Sequence, residues 1–119
     1  MVSDLPSVLI VEDHVLMRAM LRMWLLGLAE PIFECENGTD VSACYAAHHP
    51  DWVLMDIELP GQDGIAATRE LLAHEPAARV LIVTSYDDAE LRRAAALIGA
   101  RGYLLKDNLW ELRQWLTQP

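Results

Sequence analysis

The feature that most constrains the fold is a set of short, apolar-rich runs that each stop abruptly at a polar side chain. The runs span Ser7–Val11, Trp52–Met55 and Val80–Val83. Each is too short for a helix, and none alternates polar with apolar residues. Strands of this kind are buried on both faces, as in parallel sheets that helices cover. The sequence therefore predicts strands in the interior of a sheet, not strands with one face in water.

Helical patterns separate these runs along the chain. We predict helices over Val15–Leu28, Thr39–Ala47, Ile65–Ala73, Asp88–Ile98 and Asn108–Gln118, and two further strands over Pro31–Cys35 and Gly102–Leu105. Strict alternation of strand and helix favours a parallel sheet with helices on both faces. We expect an α/β fold with a doubly wound five-stranded parallel sheet, flavodoxin-like, with strand order 2-1-3-4-5. Residues 1–119 are expected to form one domain.

Composition narrows the class of protein further. With 119 residues, 53% of them hydrophobic, the chain can bury a core without a disulfide frame or a structural metal. Eighteen acidic and nine basic side chains give a net charge of −9, which disfavours direct contact with nucleic acid. Cys35 and Cys44 lack a Cys-x-x-Cys spacing, which favours a reducing compartment, and we expect a cytoplasmic location. Neither a signal peptide nor a membrane segment is expected.

Chemically distinctive side chains follow the predicted strands, at the point where each strand ends. Glu12 and Asp13 follow the first strand, Asp56 and Thr84 follow two others, and Lys106 follows the last. Ligands of doubly wound sheets bind beyond these carboxyl ends. Carboxylates that repel one another favour a hard divalent cation such as Mg²⁺. Any one of these acids could serve solubility alone, but residues of these types at the ends of four strands favour a site for a metal and a phosphoryl group.

The chain resembles the receiver domains of two-component response regulators over nearly its whole length. The segments that carry the resemblance are Val8–Asp13, Asp56–Gly64, Val83–Asp88 and Gly99–Asp107, and the last two are most similar to the NarL/FixJ branch. The motifs are specific because they occur together and in order. Lys106 is followed by Asp107 where receivers commonly have proline, which leaves open whether that peptide bond is cis.

The resemblance implies a phosphoryl-transfer site. Asp56 matches the phosphoacceptor, which takes a phosphoryl group from a sensor histidine kinase or a histidine phosphotransfer protein. Asp13, Asp56 and the backbone carbonyl of Glu58 match the Mg²⁺ ligands, and Glu12 matches the acid that holds a metal-bound water. Lys106 matches the lysine that contacts the phosphoryl oxygens.

The resemblance also implies a switch. Thr84 matches the hydroxyl that moves toward the phosphoryl group, and Tyr103 matches the aromatic side chain that turns inward after it. Glu58 and Tyr86 occupy positions that border the water path to the acyl phosphate, so both are expected to modulate its lifetime, together with the small Ser85. A surface tyrosine packed on its own loop is the alternative for Tyr86.

The expected function is a phosphorylation-activated signalling switch, which catalyses its own phosphorylation and dephosphorylation but turns over no metabolite. Its expected output is transcription regulation. The alternative is an atypical receiver that binds partners without phosphorylation. A flavodoxin-like cofactor carrier is disfavoured, because Glu12 and Asp13 stand where a phosphate-binding loop would be needed.

Helix surfaces give the remaining expectations. The first helix has two apolar stripes, one predicted to face the core (Met17, Met20, Leu21, Trp24 and Leu28) and one to need a partner (Leu16, Ala19, Met23 and Leu26). That partner would be the kinase or a second copy of the chain, and partial cover by loops is the alternative.

In the last helix Leu109, Leu112 and Leu116 have core spacing, while Trp110 and Trp115 lie off that face. A homodimer through the first or the last helix is therefore one expected partner arrangement. Asp63 is expected to cap a helix, and His14 to face solvent.

Overall fold

The computed structural model describes residues 4–119, and within them one parallel sheet has helices on both faces. The strands are β1 (Val8–Val11), β2 (Ile32–Cys35), β3 (Trp52–Met55), β4 (Val80–Thr84) and β5 (Gly102–Leu105). Their order across the sheet is β2-β1-β3-β4-β5, and every neighbouring pair is parallel. The predicted fold class and strand order are confirmed.

One helix follows each strand: α1 (Val15–Leu25), α2 (Val41–His48), α3 (Gly64–His74), α4 (Ala89–Leu97) and α5 (Leu112–Leu116). A 3-10 turn, Gly38–Asp40, precedes α2, and a 3-10 segment, Lys106–Glu111, precedes α5. Side-chain caps define several of the helix starts. Asp63 accepts a hydrogen bond from the Ala66 amide at 2.9 Å at the start of α3, which confirms its expected capping role.

Alternate residues of each inner strand pack into two cores on opposite faces of the sheet. In β1, Leu9 and Val11 join a core that includes residues of α2, α3 and α4, whereas Val8 and Ile10 join one formed with α1 and α5. All four β1 residues are at most 1% exposed. This double cover explains why the inner strands are apolar at every position.

Strand register brings the polar residues after the strands to one edge. Val11 of β1 lies beside Met55 of β3, and Met55 lies beside Ile82 of β4. The ladder continues one residue further, because the Asp56 amide donates to the Val11 carbonyl at 3.0 Å. Side chains that end β4 or directly follow β1, β3 and β5 therefore lie at the carboxyl edge of the sheet, as predicted.

The core face of α1 differs from the predicted one. Leu21 and Leu25 are 2% and 0% exposed, whereas Met20 and Trp24 are 47% and 45% exposed. The predicted core stripe was therefore wrong at Met20 and Trp24. Arg18 lies on the buried face of the helix with Leu21 and Leu25, and its guanidinium donates to the backbone carbonyl of Glu12 at 2.9 Å.

The first and last predicted helices are longer than the observed ones by at least three residues. The first ends at Leu25, not at Leu28, because Leu26 has an extended ψ of 125° and Gly27 a φ of +77°, a left-handed conformation that glycine adopts without strain. A continuous helix over Asn108–Gln118 was also wrong. Asn108 has a φ of −122° and a ψ of 35°, so α-helical hydrogen bonding begins only beyond it.

The core spacing predicted for the end of the chain is confirmed. Leu109, Leu112 and Leu116 are at most 4% exposed. Trp110 is 60% exposed, as expected for a residue off the core face. Trp115 is half-buried and packs over Gly102, where an added Cβ would lie 2.3 Å from its ring.

The peptide bond after Lys106 is trans, whereas the bond between Glu30 and Pro31 is cis. In the described part of the chain, none of the helices combines the length and the apolar character that crossing a membrane requires.

Candidate functional site

Three carboxylates meet at the carboxyl edge of the sheet. Glu12 and Asp13 follow β1, Asp56 follows β3, and one carboxylate oxygen from each lies within 4.8 Å of the others. Glu12 and Asp56 are buried, at 1% and 8% exposure, while Asp13 is exposed at the rim. Buried carboxylates at this separation repel one another strongly unless a cation lies between them.

Lys106 contributes a positive charge from the end of β5. Its Nζ donates to Glu12 Oε1 at 2.7 Å and lies 3.4 Å from Asp56 Oδ2. The other Asp56 oxygen, Oδ1, accepts a hydrogen bond from the Ile57 amide at 2.9 Å. Asp56 is therefore held on one side by its own loop and approached on the other by an ammonium group.

Burial and neighbouring charges shift the pKa values of the two buried carboxylates in opposite directions. Burial, and then the charge of Glu12, raise the pKa of Asp56 to about 7. Burial also opposes ionisation of Glu12, but Lys106 and the His14 amide outweigh it and lower the pKa of Glu12. Burial likewise opposes the charged form of Lys106, yet its bonds to Glu12 and Asp56 raise its pKa. Asp56 is thus the carboxylate whose charge most needs a further cation.

Thr84 ends β4 beside these groups and is fully buried. Its hydroxyl oxygen accepts a hydrogen bond from the Tyr86 amide at 3.3 Å. The Tyr103 hydroxyl donates to the Tyr86 carbonyl at 2.6 Å, and the Arg92 guanidinium lies over the Tyr103 ring, 4.6 Å from its centroid. Thr84 and Tyr103 are therefore connected through one short loop, while Ser85 in that loop is exposed.

A side-chain bridge links the loop after β4 to the loop after β3. The Tyr86 hydroxyl donates a hydrogen bond to Glu58 Oε1. Tyr86 is 44% exposed, so the bridge lies on the surface. Tyr86 therefore reaches from its own loop to the loop after β3, and its shielding of the phosphoryl group stays a prediction.

An open cleft of about 990 Å³ extends outward from the carboxylates. Asp13, Asp56, Glu58 and Lys106 are among the residues that line it. His14 lies at its edge and caps α1, where its Nδ1 accepts from the Met17 amide at 3.3 Å. His14 is exposed, as expected. The Glu58 carbonyl stays a predicted ligand.

The sequence did not predict two close contacts in the site. The sequence pattern assigned no contact to Arg18, which is buried and donates to the Glu12 carbonyl. Gly64 begins α3, and a Cβ there would lie 1.9 Å from the Asp56 carbonyl oxygen. Helical periodicity gives no signal for either role, because both depend on contacts between distant segments.

The donor set fits a hard divalent cation. Carboxylate oxygens are the ligands that Mg²⁺ prefers, and Asp13 leaves one side of the cluster open to the cleft. The ammonium of Lys106 lies 3.4 Å from Asp56 Oδ2 on another side. Together these groups can neutralise the charge on a phosphoryl group that approaches the Asp56 carboxylate.

Comparison with known proteins agrees with this arrangement. The chain is 38% identical over 100 residues to the chemotaxis protein CheY of Halobacterium salinarum, covering 84% of this chain and 83% of that protein. It is 38% identical to the DNA-binding transcriptional activator DevR/DosR of Mycobacterium tuberculosis, covering 85% of this chain but 48% of that protein.

Among solved structures, the signal receiver domain of the response regulator NarL from Mycobacterium tuberculosis is similar, with a TM-score of 0.87 and 28% identity, covering 95% of this chain and 94% of that one. The family model of the response regulator receiver domain matches residues 8–117. The chain therefore belongs to the response regulator receiver domain family.

Proposed function

We propose that this receiver accepts a phosphoryl group on Asp56 in a Mg²⁺-dependent reaction and changes its surface in response. The observation that supports this most directly is the burial of Asp56 between Lys106 and the Glu12–Asp13 pair, in a domain of the response regulator family. The donor would be a phosphohistidine on a sensor histidine kinase or a histidine phosphotransfer protein. The proposed output is transcription regulation, which DegU of Brevibacillus brevis and DevR/DosR, by their names, perform.

Asp13, Asp56 and the Glu58 carbonyl would hold Mg²⁺, with Glu12 acting through water. Mg²⁺ bound there would offset the negative charge of the incoming phosphoryl oxygens. An Asp56 oxygen attacks phosphorus, the bond from phosphorus to the histidine nitrogen breaks, and the electron pair returns to the imidazole. Lys106 stabilises the charge that spreads over the phosphoryl oxygens in this step.

The switch would run from Thr84 to Tyr103. The Thr84 hydroxyl now accepts from the Tyr86 amide, and it must turn to donate to a phosphoryl oxygen. That movement shifts the loop whose Tyr86 carbonyl holds the Tyr103 hydroxyl. The phosphoryl group carries roughly −1.5 to −2 charges beside Lys106, more than the carboxylate it replaces, and this charge supplies the driving force.

Incubation with acetyl phosphate and Mg²⁺, followed by intact-mass measurement, tests the proposed function. A mass gain of one phosphoryl group, absent when EDTA replaces Mg²⁺, is the expected result. No gain with acetyl phosphate or with a phosphorylated histidine phosphotransfer protein would instead support a module that binds partners without phosphorylation.

Tyr86→Ala is expected to shorten the lifetime of the acyl phosphate, because the ring and its bond to Glu58 bridge two loops at the mouth of the site. Tyr86→Phe keeps the ring and should give a smaller change. Loss of a hydrogen bond of ordinary strength corresponds to a rate on the order of fivefold faster. The decay of the phosphorylated mass over time measures this rate. Tyr45→Phe, a change in α2, is the matched control, and an unchanged decay rate in Tyr86→Ala would contradict the role.

Mg²⁺ is expected to stabilise the fold more at pH 8 than at pH 5. The pKa of Asp56 is raised to about 7 in the folded, metal-free chain, so that chain holds a proton which the unfolded chain has lost. Its stability therefore falls as pH rises from about 4 to about 7. At one hundred times its Kd, a bound ion adds about 2.7 kcal/mol. Thermal melts in EDTA and in Mg²⁺ measure the effect. A melting temperature at pH 8 that is the same with and without Mg²⁺ would contradict it.

The phosphodonor partner is proposed to dock beside α1. Leu16, Met23 and Leu26 are 71–77% exposed, and α1 starts next to the acidic site. We also propose that the chain forms a homodimer through α1, or through the last helix with its exposed Trp110, when it regulates transcription. No nucleic-acid contact by residues of this domain is proposed, given the net charge of −9.

Residues 1–119 are proposed to act as a single receiver domain. The chain spans 83% of the Halobacterium salinarum CheY but about half the length of the DegU and DevR/DosR relatives. We propose a cytoplasmic location, supported by the free thiols of Cys35 and Cys44.

A further inference from the structure

We propose that Arg18 is a positioning residue for the acidic site: by holding the backbone carbonyl of Glu12, it sets the direction in which Asp13 presents its carboxylate to a divalent cation. This inference rests on the proposed function, because it assumes that Mg²⁺ binds at the site. It assigns a role to a side chain that contacts neither the metal nor the phosphoryl group.

The burial of Arg18 is the first observation. The Arg18 side chain is 10% exposed, whereas Arg22, one turn further along the same helix, is 46% exposed. A buried guanidinium is costly unless its donors are paired. Its Nη1 donates to the Glu12 carbonyl at 2.9 Å, a bond buried between α1 and the end of β1.

The charge of Arg18 is balanced away from the acidic site. Its Nε lies 3.2 Å from Glu34 Oε1 and its Nη2 lies 3.2 Å from Glu36 Oε1. Both glutamates lie at or after β2, on the side of β1 away from Asp56. Arg18 therefore acts on the site through the position of the Glu12 backbone and not by neutralising its carboxylates.

The Glu12 backbone is anchored on both sides. Its amide donates to the Cys35 carbonyl at 3.0 Å, and its carbonyl accepts from Arg18. That carbonyl belongs to the planar peptide that joins Glu12 to Asp13. Fixing the oxygen of this plane fixes the orientation of the Asp13 backbone.

Asp13 depends on this backbone anchor more than Glu12 does. The Glu12 carboxylate is held by Lys106 and by the His14 amide. Within residues 4–119, the Asp13 carboxylate has no hydrogen bond or ion pair of its own. Its direction toward a bound ion is therefore set mainly by the peptide that Arg18 holds.

Titration calorimetry of Mg²⁺ into the full chain tests the role of Arg18. Arg18→Gln is expected to weaken Mg²⁺ binding by about tenfold or more, as loss of a group that orients a metal ligand typically does. Phosphorylation by acetyl phosphate should then need more Mg²⁺ for its half-maximal rate, with the rate at saturating Mg²⁺ within about twofold of wild type. Arg18→Lys should lie between the two, because an ammonium keeps the charge but not the planar fork.

Arg22→Gln is the matched control. Arg22 also binds Glu34 from α1, and its Nη2 reaches the Ile32 carbonyl at 3.4 Å, but it does not contact Glu12. It should lower stability without changing Mg²⁺ affinity. Arg18→Gln with wild-type Mg²⁺ affinity, or Arg22→Gln with an equal loss, would overturn the proposal. If Arg18→Gln does not fold, Arg18→Lys is judged by the same criterion.

Asp13→Asn separates this proposal from the proposed function. If wild type binds Mg²⁺ and Asp13→Asn does not, the metal site stands, and the Arg18 variants alone decide the positioning role. If wild type binds no Mg²⁺, the metal site and the role of Arg18 are both overturned.

Discussion

Asp56→Asn is expected to gain no phosphoryl group from acetyl phosphate under conditions in which the wild-type chain gains one. The carboxylate is the proposed nucleophile, and an amide of the same shape has no anionic oxygen with which to attack phosphorus. The change also removes one of the charges that would hold Mg²⁺. Intact-mass measurement in mildly acidic solution, soon after the reaction, gives the result directly.

Asp51→Asn is the matched control for this substitution. Asp51 directly precedes β3, at the opposite end of the strand from Asp56, and its carboxylate accepts from the Ser7 amide at 2.8 Å. It should take up the phosphoryl group as wild type does. A phosphoryl gain that persists in Asp56→Asn would show that another carboxylate accepts the group and would contradict the proposed site.

Gly64→Ala is expected to lower both the stability of the fold and the rate of phosphorylation. A Cβ at Gly64 would lie 1.9 Å from the Asp56 carbonyl oxygen and 2.9 Å from Ile57 Cα, both backbone atoms. The Gly64 amide donates to the Ile57 carbonyl at 2.8 Å, so the start of α3 is fastened to the loop that carries Asp56. The methyl group must therefore push α3 and this loop apart.

Overpacking of this kind typically costs about 1–3 kcal/mol. A displacement of about 1 Å at the reacting group can slow a reaction by roughly 10²-fold. Urea unfolding measures the first effect, and the initial rate of phosphoryl gain measures the second. Gly27→Ala is the control: Gly27 has a φ of +77° and open space around it, so the variant should lose some stability and keep the wild-type rate. A Gly64→Ala chain with wild-type stability and rate would show that the loop accommodates the methyl group.

Much of the fold could be predicted because the amino-acid composition of the inner strands shows that both of their faces are buried. Residues of β1 and β3 pack on both faces, so every position is apolar and the strand ends are sharp. Parallel register then places the residues after Val11 and Met55 side by side. Those two facts bring Glu12 and Asp56 together without any knowledge of side-chain contacts.

The first and last helices were predicted less well, for a reason specific to each. Apolar residues surround much of α1, so periodicity could not choose its core face. The face that the structure buries carries Arg18, Leu21 and Leu25, whereas Met20 and Trp24 are exposed. The last helix has the predicted apolar spacing, but Lys106–Glu111 form a 3-10 segment that is interrupted at Asn108, so the α-helix begins only at Leu112.

By itself, the sequence determined the fold class, the strand order and the presence of Glu12, Asp13, Asp56, Thr84 and Lys106 at one edge, because each follows from burial pattern and position along the chain. Only the tertiary structure decided that Lys106 contacts both Glu12 and Asp56 and that Tyr86 reaches Glu58. It also decided that Arg18 holds the peptide that joins Glu12 to Asp13. Such contacts join segments far apart in the chain, and their geometry depends on how helices and loops rotate when the two cores close.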